Sequence, residues 1–146
     1  MTVLDTQAIV AALLGEPAAA EVRDIIGARG SMPMVSAMSL AEAMDILVRV
    51  NGNRADAARE RLAWLITAGL EVVPVDEDIG SLAGAIRSRH WSRDRRPVSI
   101  VDCAVLATGM LKQEPIATAD AALIGAARAE GHPVVILRDS RGGRAG

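Results

Sequence analysis

Short apolar runs rich in β-branched residues alternate with longer helical patterns from one end of the chain to the other. Such alternation is typical of parallel strands joined by helical crossovers, and it predicts an α/β fold. The predicted strands cover residues 2–4, 34–36, 70–75, 115–118 and 133–137. Because each run is short and apolar, we expect these strands to be buried on both faces of one sheet.

Helical periodicity fills the intervals between these runs. The predicted helices cover residues 6–14, 17–28, 39–50, 55–67, 77–89, 99–111 and 121–130, with Pro17 in the first turn of the second helix. A chain of 146 residues that is 51% hydrophobic can enclose one sizeable core. We therefore predict one domain over residues 1–137 and a Gly- and Arg-rich tail at 138–146, which we expect to be flexible.

The composition narrows the classes of protein to consider. A net charge of −2 gives no overall field that would attract a polyanion, so any nucleic-acid site must be local. The single Cys103 excludes an intrachain disulfide, and with two histidines it cannot supply a conventional zinc site. No uninterrupted apolar run reaches the roughly 18 residues that a membrane span requires, and we expect a cytoplasmic protein without a membrane partner.

Four acidic residues fall where predicted strands end or helices begin. Asp5 follows the first strand, Asp120 follows the fourth, and both Glu42 and Asp102 lie about one turn into a helix. Ligands of open parallel sheets bind beyond the carboxyl ends of the strands, where loops and helix N-termini converge. We therefore expect these four carboxylates to meet at one edge of the sheet.

Helix capping is an alternative explanation for each of these acids. Glu42 follows Ser39 by three residues, and Asp102 follows Ser99 by the same interval, which is the spacing of a capping box. The other two acids each directly precede a helix, where aspartate is a favoured cap. Capping explains each residue singly, but it does not predict that all four share one sheet edge.

A cluster of four carboxylates indicates a bound cation. Clustered carboxylates raise one another's pKa unless a cation neutralises them. Oxygen-only ligands favour Mg²⁺, with Mn²⁺ as the other candidate, and disfavour zinc. Such a site suits phosphodiester cleavage, because the metal can activate water and stabilise the departing oxygen.

The ordered set of acidic motifs resembles the PIN domain, a family of metal-dependent nucleases, and in particular the VapC-type toxins of bacterial toxin–antitoxin pairs. The resemblance covers nearly the whole chain. It is carried by the segments Val3-Leu-Asp5-Thr, Ser36-Ala-Met-Ser-Leu-Ala-Glu42, Ser99-Ile-Val-Asp102-Cys-Ala and Thr118-Ala-Asp120. It implies a three-layer α/β/α sandwich around a mostly parallel sheet of about five strands.

The same resemblance implies a Mg²⁺-dependent endoribonuclease with a homodimeric assembly and a cognate antitoxin that covers the acidic site. The implied catalytic residues and metal ligands are Asp5, Glu42 and Asp102, with Asp120 as a fourth ligand or a water-positioning acid. We expect three hydroxyl residues within the motifs to support these acids: Thr6, Ser36 and Thr118.

One position departs from the family pattern. The family usually has Ser or Thr two residues after the first acid, where this chain has Gln7. Because Gln can still donate or accept a hydrogen bond, we expect altered orientation more than lost activity. Two alternatives stay open: a catalytically silent PIN-like module that binds RNA or protein, and a housekeeping RNA-processing nuclease.

The densest basic stretch of the chain, residues 87–96, is the predicted RNA contact. Its phosphate-binding candidates are Arg89, Arg93, Arg95 and Arg96. A solvated loop is an equally weighted alternative.

Two other residues have competing interpretations. Trp91 is compatible with stacking on an unpaired base, but packing at a helix cap or a dimer contact is preferred. Asp45 lies three residues after Glu42, and we favour an ion pair with Arg49 over a place near the acidic site.

Overall fold

The computed structural model describes all 146 residues and contains seven helices and five strands. In chain order they are β1 (Val3–Leu4), α1 (Thr6–Leu14), α2 (Ala19–Gly27), β2 (Met34–Ser36), α3 (Ala37–Val50), α4 (Ala55–Thr67), β3 (Glu71–Val73), α5 (Glu77–His90), α6 (Ile100–Lys112), β4 (Ile116–Thr118), α7 (Ala121–Ala129) and β5 (Val134–Ile136). Every predicted element is present. Three helix starts differ: α2 begins at Ala19, which leaves Pro17 in the preceding turn, α3 begins two residues earlier than predicted, and α6 begins one residue later, at Ile100.

The five strands form one parallel sheet in the order β3-β2-β1-β4-β5, which confirms the predicted α/β class. The three central strands are fully buried, as their apolar sequences predict. The prediction of burial on both faces is wrong for the edge strands, because β3 exposes Glu71 and β5 exposes Val135. An edge strand has only one neighbour, so its side chains keep part of their contact with water.

Successive residues of the central strands point to opposite faces of the sheet, and a separate set of helices covers each face. Leu4 and Ala117 pack in one core with residues of α1 to α4. Val3 and Ile116 pack in a second core with residues of α5 to α7. These two cores produce the three-layer α/β/α sandwich and bring the carboxyl ends of β1, β2 and β4 to one edge. None of the helices is long and apolar enough to cross a membrane.

The C-terminal tail at 138–146 contacts α2. Arg138 Nε lies 3.1 Å from Oε1 of Glu21, and Arg144 Nη2 lies 2.9 Å from the same oxygen. Arg128 Nη1 donates a hydrogen bond of 2.8 Å to the carbonyl of Gly146. The flexibility predicted for this tail stays a prediction.

Candidate active site

Asp5 and Thr118 lie side by side at the carboxyl edge of the sheet. Leu4 of β1 pairs with Ala117 of β4, so the residues that follow them in each strand are neighbours. Thr118 Oγ1 donates a hydrogen bond to Oδ2 of Asp5. The other oxygen, Oδ1, accepts a hydrogen bond of 2.7 Å from the amide of Ala8 and caps α1. Both carboxylate oxygens of Asp5 are therefore held in position.

Burial controls the protonation of Asp5. The residue is only 2% exposed, and the loss of hydration raises the pKa of its carboxyl to about 7. The hydrogen bonds from Thr118 and Ala8 lower this pKa, since they stabilise the charged form. The negative charges of Asp102 and Asp120 raise it further. A cation beside Asp5 would offset both the burial and the repulsion.

Asp102 is the third residue of α6 and forms the predicted capping box with Ser99. Its amide donates a hydrogen bond of 3.0 Å to Ser99 Oγ, and the amide of Ser99 donates one of 2.9 Å to Asp102 Oδ2. Burial raises the pKa of Asp102, and the charges of Asp120 and Glu42 add to that rise. Because the capping box uses Oδ2, the second carboxylate oxygen stays free for another ligand. Capping and a role in the acidic site are therefore compatible.

Asp120 caps α7 and connects to Asp5 through Thr118. Its Oδ1 accepts a hydrogen bond of 2.8 Å from the amide of Leu123, as the capping alternative predicts. Its own amide donates a hydrogen bond of 3.0 Å to Thr118 Oγ1. The Thr118 hydroxyl thus accepts from one acidic residue and donates to another. The side chain of Asp120 is exposed, so it is the acid most accessible to a ligand in solution.

The capping box predicted for Ser39 and Glu42 is wrong. Ser36 caps α3 instead, and its Oγ accepts a hydrogen bond of 3.2 Å from the amide of Met38. The helix therefore begins earlier than predicted, and Glu42 lies in its second turn with a half-buried side chain. Ser39 is fully buried and its hydroxyl makes no hydrogen bond. Glu42 is thus free of any capping role, and its charge acts on Asp102.

The four acids share an electrostatic environment without forming a compact group. No three His, Cys, Asp or Glu side chains are grouped so that they could hold a metal ion as they stand. Mutual repulsion between carboxylates opposes closer approach. The donor set fits a hard divalent cation, because it consists of carboxylate oxygens, and Asp102 and Asp120 each use only one oxygen as a cap. The residues that would hold such a cation are Asp5, Glu42, Asp102 and Asp120.

A family model described as "PIN domain" matches residues 2–141 and includes all four acids. The chain belongs to the PIN domain family. This finding confirms the resemblance inferred from the acidic motifs. A search of curated protein sequences gives no significant match.

Solved structures share the PIN fold of this chain at low sequence identity. VapC20 from Mycobacterium tuberculosis, described as a toxin that cleaves the sarcin–ricin loop, is 23% identical with a TM-score of 0.69, over 86% of this chain and 95% of that chain. VapBC2 from Rickettsia felis, bound to a DNA fragment from its promoter, is 13% identical with a TM-score of 0.69. The match covers 92% of this chain and 96% of that chain. FitAcB from Neisseria gonorrhoeae is 23% identical with a TM-score of 0.63, and the match covers 92% of this chain and 96% of that chain.

The hydroxyl residues expected to support the acids of this PIN domain have different roles. Thr118 donates a hydrogen bond to Asp5. Ser36 uses its hydroxyl to cap α3, and Thr6 is buried at the first position of α1. Of the three, Thr118 is the one whose hydroxyl bonds to a carboxylate of the site.

Gln7, the departure from the PIN pattern, is exposed and lines a cleft that Asp120 alone of the four acids also lines. The cleft has a volume of about 340 Å³, and its walls include Asp120, Glu16 and Arg138. Asp5 is oriented by Ala8 and Thr118, so its hydrogen bonds do not depend on residue 7. Sequence reasoning missed Glu16 and Arg138, because neither lies in a motif and only the packing of the helices and β5 brings them near Asp120.

Two of the predicted RNA contacts are paired within the protein. Arg89 Nη2 lies 2.8 Å from Oε1 of Glu130, and His90 Nε2 lies 2.5 Å from the same oxygen. Arg96 Nη1 lies 3.1 Å from His90 Nδ1. Glu130 ends α7, about 15 Å along the helix axis from Asp120 at 1.5 Å per residue. This network therefore lies at the opposite end of α7 from the acidic site.

Arg93 and Arg95 are exposed and take no part in that network. They are the two predicted phosphate contacts whose guanidinium groups are free. On α3, Asp45 pairs with Arg49 at 2.7 Å, which confirms the ion pair preferred from the sequence.

Proposed function

We propose that this PIN domain is a divalent-metal-dependent endoribonuclease and the toxin of a toxin–antitoxin pair. The observation that carries the proposal is the hydrogen-bonded link from Asp5 through Thr118 to Asp120 at the carboxyl edge of the sheet, with one carboxylate oxygen of Asp102 free at the start of α6. Burying the Asp5 carboxylate near other negative charges costs free energy unless a cation compensates. Mg²⁺ is the expected ion, with Mn²⁺ as a substitute, since both prefer oxygen ligands.

Each acid has a distinct part in the proposed reaction. Asp5, fixed through both oxygens, and Asp102, fixed through one, would orient the cation against the scissile phosphate. Glu42 and the exposed Asp120 would complete the site from the solvent side, and Asp120 is suited to accept a hydrogen bond from the attacking water. When bound, the cation supplies Lewis-acid stabilisation of the phosphate and of the departing oxygen.

The test is cleavage of structured RNA by the purified protein with Mg²⁺ or Mn²⁺. We expect cleavage that EDTA abolishes and that Asp5→Asn reduces by at least about 100-fold, the scale on which charged catalytic groups contribute. Cleavage that survives both EDTA and Asp5→Asn would exclude the metal–carboxylate mechanism. No cleavage of any RNA by the wild-type protein would favour the alternative of a silent RNA-binding or protein-interaction module.

A matched pair on α3 separates a site carboxylate from an ordinary surface acid. Glu42→Gln is expected to lose activity, whereas Asp45→Asn removes an acid that is 65% exposed and paired with Arg49. Asp45→Asn should therefore retain activity within about two-fold, since exposed ion pairs contribute little. Equal losses in both variants would indicate that overall charge, and not the site, governs cleavage.

The proposed partners are an RNA substrate, a small antitoxin protein and a second copy of the chain in a homodimer, all in the cytoplasm. The toxin–antitoxin complexes among the similar structures support an antitoxin partner.

Expression of the wild-type protein should arrest bacterial growth, and co-expression of a short reading frame adjacent to its gene should restore growth. If growth is unaffected although purified protein cleaves RNA, the housekeeping-nuclease alternative gains support. Sedimentation of the purified chain tests the dimer.

A further inference from the structure

Trp91 presents an aromatic ring to solvent beside the N-terminus of α6. The backbone of Trp91 caps the C-terminus of α5, and its amide donates a hydrogen bond of 2.8 Å to the carbonyl of Arg87. The backbone therefore agrees with the preferred interpretation of Trp91 as a residue at a helix end. The side chain is 49% exposed. A large aromatic side chain normally gains stability by burial, so an indole left half in water is available to a ligand.

The guanidinium of Arg87 lies against this ring and has an unused donor. Its Cζ is 5.4 Å from the ring centroid, within the range of a cation–π interaction. Its Nε is buried and has no hydrogen-bond partner. That nitrogen is closed to solvent, so a ligand in the pocket meets the terminal nitrogens of Arg87, which are donors for a phosphate oxygen or a base carbonyl.

Trp91 and Arg87 form two walls of a surface pocket of about 310 Å³, together with Gly84, Ser88 and Ile100. This volume is at the lower end of the ~300–1,000 Å³ typical of small-molecule sites. Ile100 is 46% exposed and adds apolar surface next to the ring. No acidic side chain lines the pocket, so its only formal charge is the positive charge of Arg87.

The pocket lies across the first turn of α6 from the acidic site. Ile100 is the first residue of α6 and Asp102 is the third, which places them on opposite sides of the helix. A helix with its side chains is about 10–12 Å wide, a distance that a stacked strand with about 3.4 Å per nucleotide spans in roughly three nucleotides. One RNA strand can therefore reach both places.

We propose that Trp91, Arg87 and Ile100 form a stacking subsite for one unpaired nucleobase of single-stranded RNA, about three nucleotides from the phosphate that is cleaved. The indole and Ile100 contact the faces of the base, and Arg87 binds its carbonyl oxygen or the adjoining phosphate. The subsite rests on the proposed ribonuclease function. Stacking tolerates any base, so it contributes affinity for unpaired RNA without sequence readout.

Fluorescence of Trp91 tests the proposal directly, since Trp64 is the only other tryptophan and the chain has no tyrosine. A Trp64→Phe protein, also carrying Asp5→Asn to prevent cleavage, is titrated with a single-stranded oligoribonucleotide in Mg²⁺. We expect quenching of Trp91 that saturates. The same titration with an abasic oligonucleotide should give weaker quenching, because the phosphates remain and the stacking partner is removed.

Binding of RNA by variants supplies the second measurement. Trp91→Ala should weaken binding by roughly 5- to 100-fold, the range measured for base–aromatic stacking, and Trp91→Phe should recover most of the loss. Trp64→Ala is the matched control, because Trp64 is 61% exposed on α4, and it should leave binding unchanged. A thermal melt of each variant verifies folding.

Two outcomes would overturn the subsite by itself, and a third would overturn it together with the proposed function. The first is cleavage by the wild-type protein together with unquenched Trp91 and unaltered binding by Trp91→Ala, a result that leaves the ribonuclease proposal intact. The second is conversion of a dimer to a monomer by Trp91→Ala, with Trp91 emission that depends on protein concentration and not on RNA, which would make this surface a contact between copies of the chain. If the wild-type protein neither cleaves nor binds RNA, the proposed function fails and the subsite fails with it.

Discussion

The Thr118 hydroxyl donates a hydrogen bond to the Asp5 carboxylate, 113 positions earlier in the chain. The same hydroxyl accepts a hydrogen bond from the amide of Asp120. A residue with no charge thus connects the two acids that follow β1 and β4. The relationship exists because these strands are neighbours in register, with Leu4 opposite Ala117. It makes Thr118 the positioning residue of the site.

Thr118→Val is expected to impair the site by removing the donor to Asp5. Since that hydrogen bond lowers the pKa of Asp5, its loss raises the pKa further, and the acidic limb of the activity profile should move to higher pH. At pH 7 we expect activity to fall about five-fold, the equivalent of about 1 kcal/mol for one hydrogen bond. Thr118→Ser keeps the hydroxyl and should retain the wild-type profile. An unshifted profile in Thr118→Val would show that Thr118 has only a structural role.

The raised pKa of Asp5 predicts how stability depends on pH without metal. The folded protein holds the Asp5 proton up to about pH 7, whereas an unperturbed carboxyl releases it near 3.8. Between these values the folded state binds more protons than the unfolded state, so stability falls as pH rises. Relative to Asp5→Asn, the wild-type chain in EDTA should lose on the order of 2–4 kcal/mol between pH 4 and pH 8.

Urea unfolding at several pH values checks this prediction, and saturating Mg²⁺ should stabilise the wild-type chain at pH 8 because a bound cation favours the charged carboxylate. Asp5→Asn keeps an oxygen for the Ala8 amide, so its helix cap is preserved. Parallel stability curves for both proteins would contradict the assignment of a raised pKa to Asp5.

Variants at the capping box can separate the two roles of Asp102. Ser99→Ala removes the oxygen that accepts from the Asp102 amide and should cost about 1 kcal/mol of stability. Asp102→Asn keeps an oxygen for the Ser99 amide but loses the negative charge, so it should abolish cleavage with a smaller loss of stability. Chemical denaturation and RNA cleavage are measured on both proteins. If Asp102→Asn cleaves normally, capping is the whole function of this residue.

Gly109 lies where α6 approaches the start of β4 too closely for a side chain. An added Cβ would lie 2.7 Å from Cγ2 of Ile116, 2.8 Å from Nε2 of His132 and 3.0 Å from the carbonyl oxygen of Glu114. Gly109→Ala should therefore destabilise the fold by about 1–3 kcal/mol, as overpacking does. Gly80→Ala on α5 is the control, since its nearest neighbour would be 3.8 Å away, and it should be neutral or stabilising. Thermal melts of both variants decide the comparison.

The free and the paired arginines are expected to differ in RNA binding. Arg93→Gln and Arg95→Gln should each weaken binding and reduce the slope of log affinity against log salt by about 1, as expected for a lost phosphate contact. Arg89→Gln should change the slope less, because its guanidinium already binds Glu130. Binding titrations over a series of salt concentrations measure the slopes. Slopes equal to that of the wild-type protein in both Arg93→Gln and Arg95→Gln would remove this loop from the RNA contact surface.

Much of the fold and the identity of the acids could be predicted from the sequence, because both depend on local patterns. Short apolar runs and apolar repeats with a period of 3.6 are properties of neighbouring residues, and they predicted every strand of the sheet and every helix on its two faces. The predicted start of α3 is wrong because the sequence offers two serines, Ser36 and Ser39, that could each cap the helix. The earlier one caps it, and the later one is buried without a partner.

The sequence by itself determined the α/β class, the ordered acids and the PIN resemblance, since these are written in residue types and their spacing. Only the tertiary structure decided that β1 lies between β2 and β4, and with it the pairing of Thr118 with Asp5. It also decided which arginines are neutralised, because Arg89 and Glu130 are 41 residues apart and meet through helix packing. Contacts over such separations depend on strand order and register, and no local pattern encodes them.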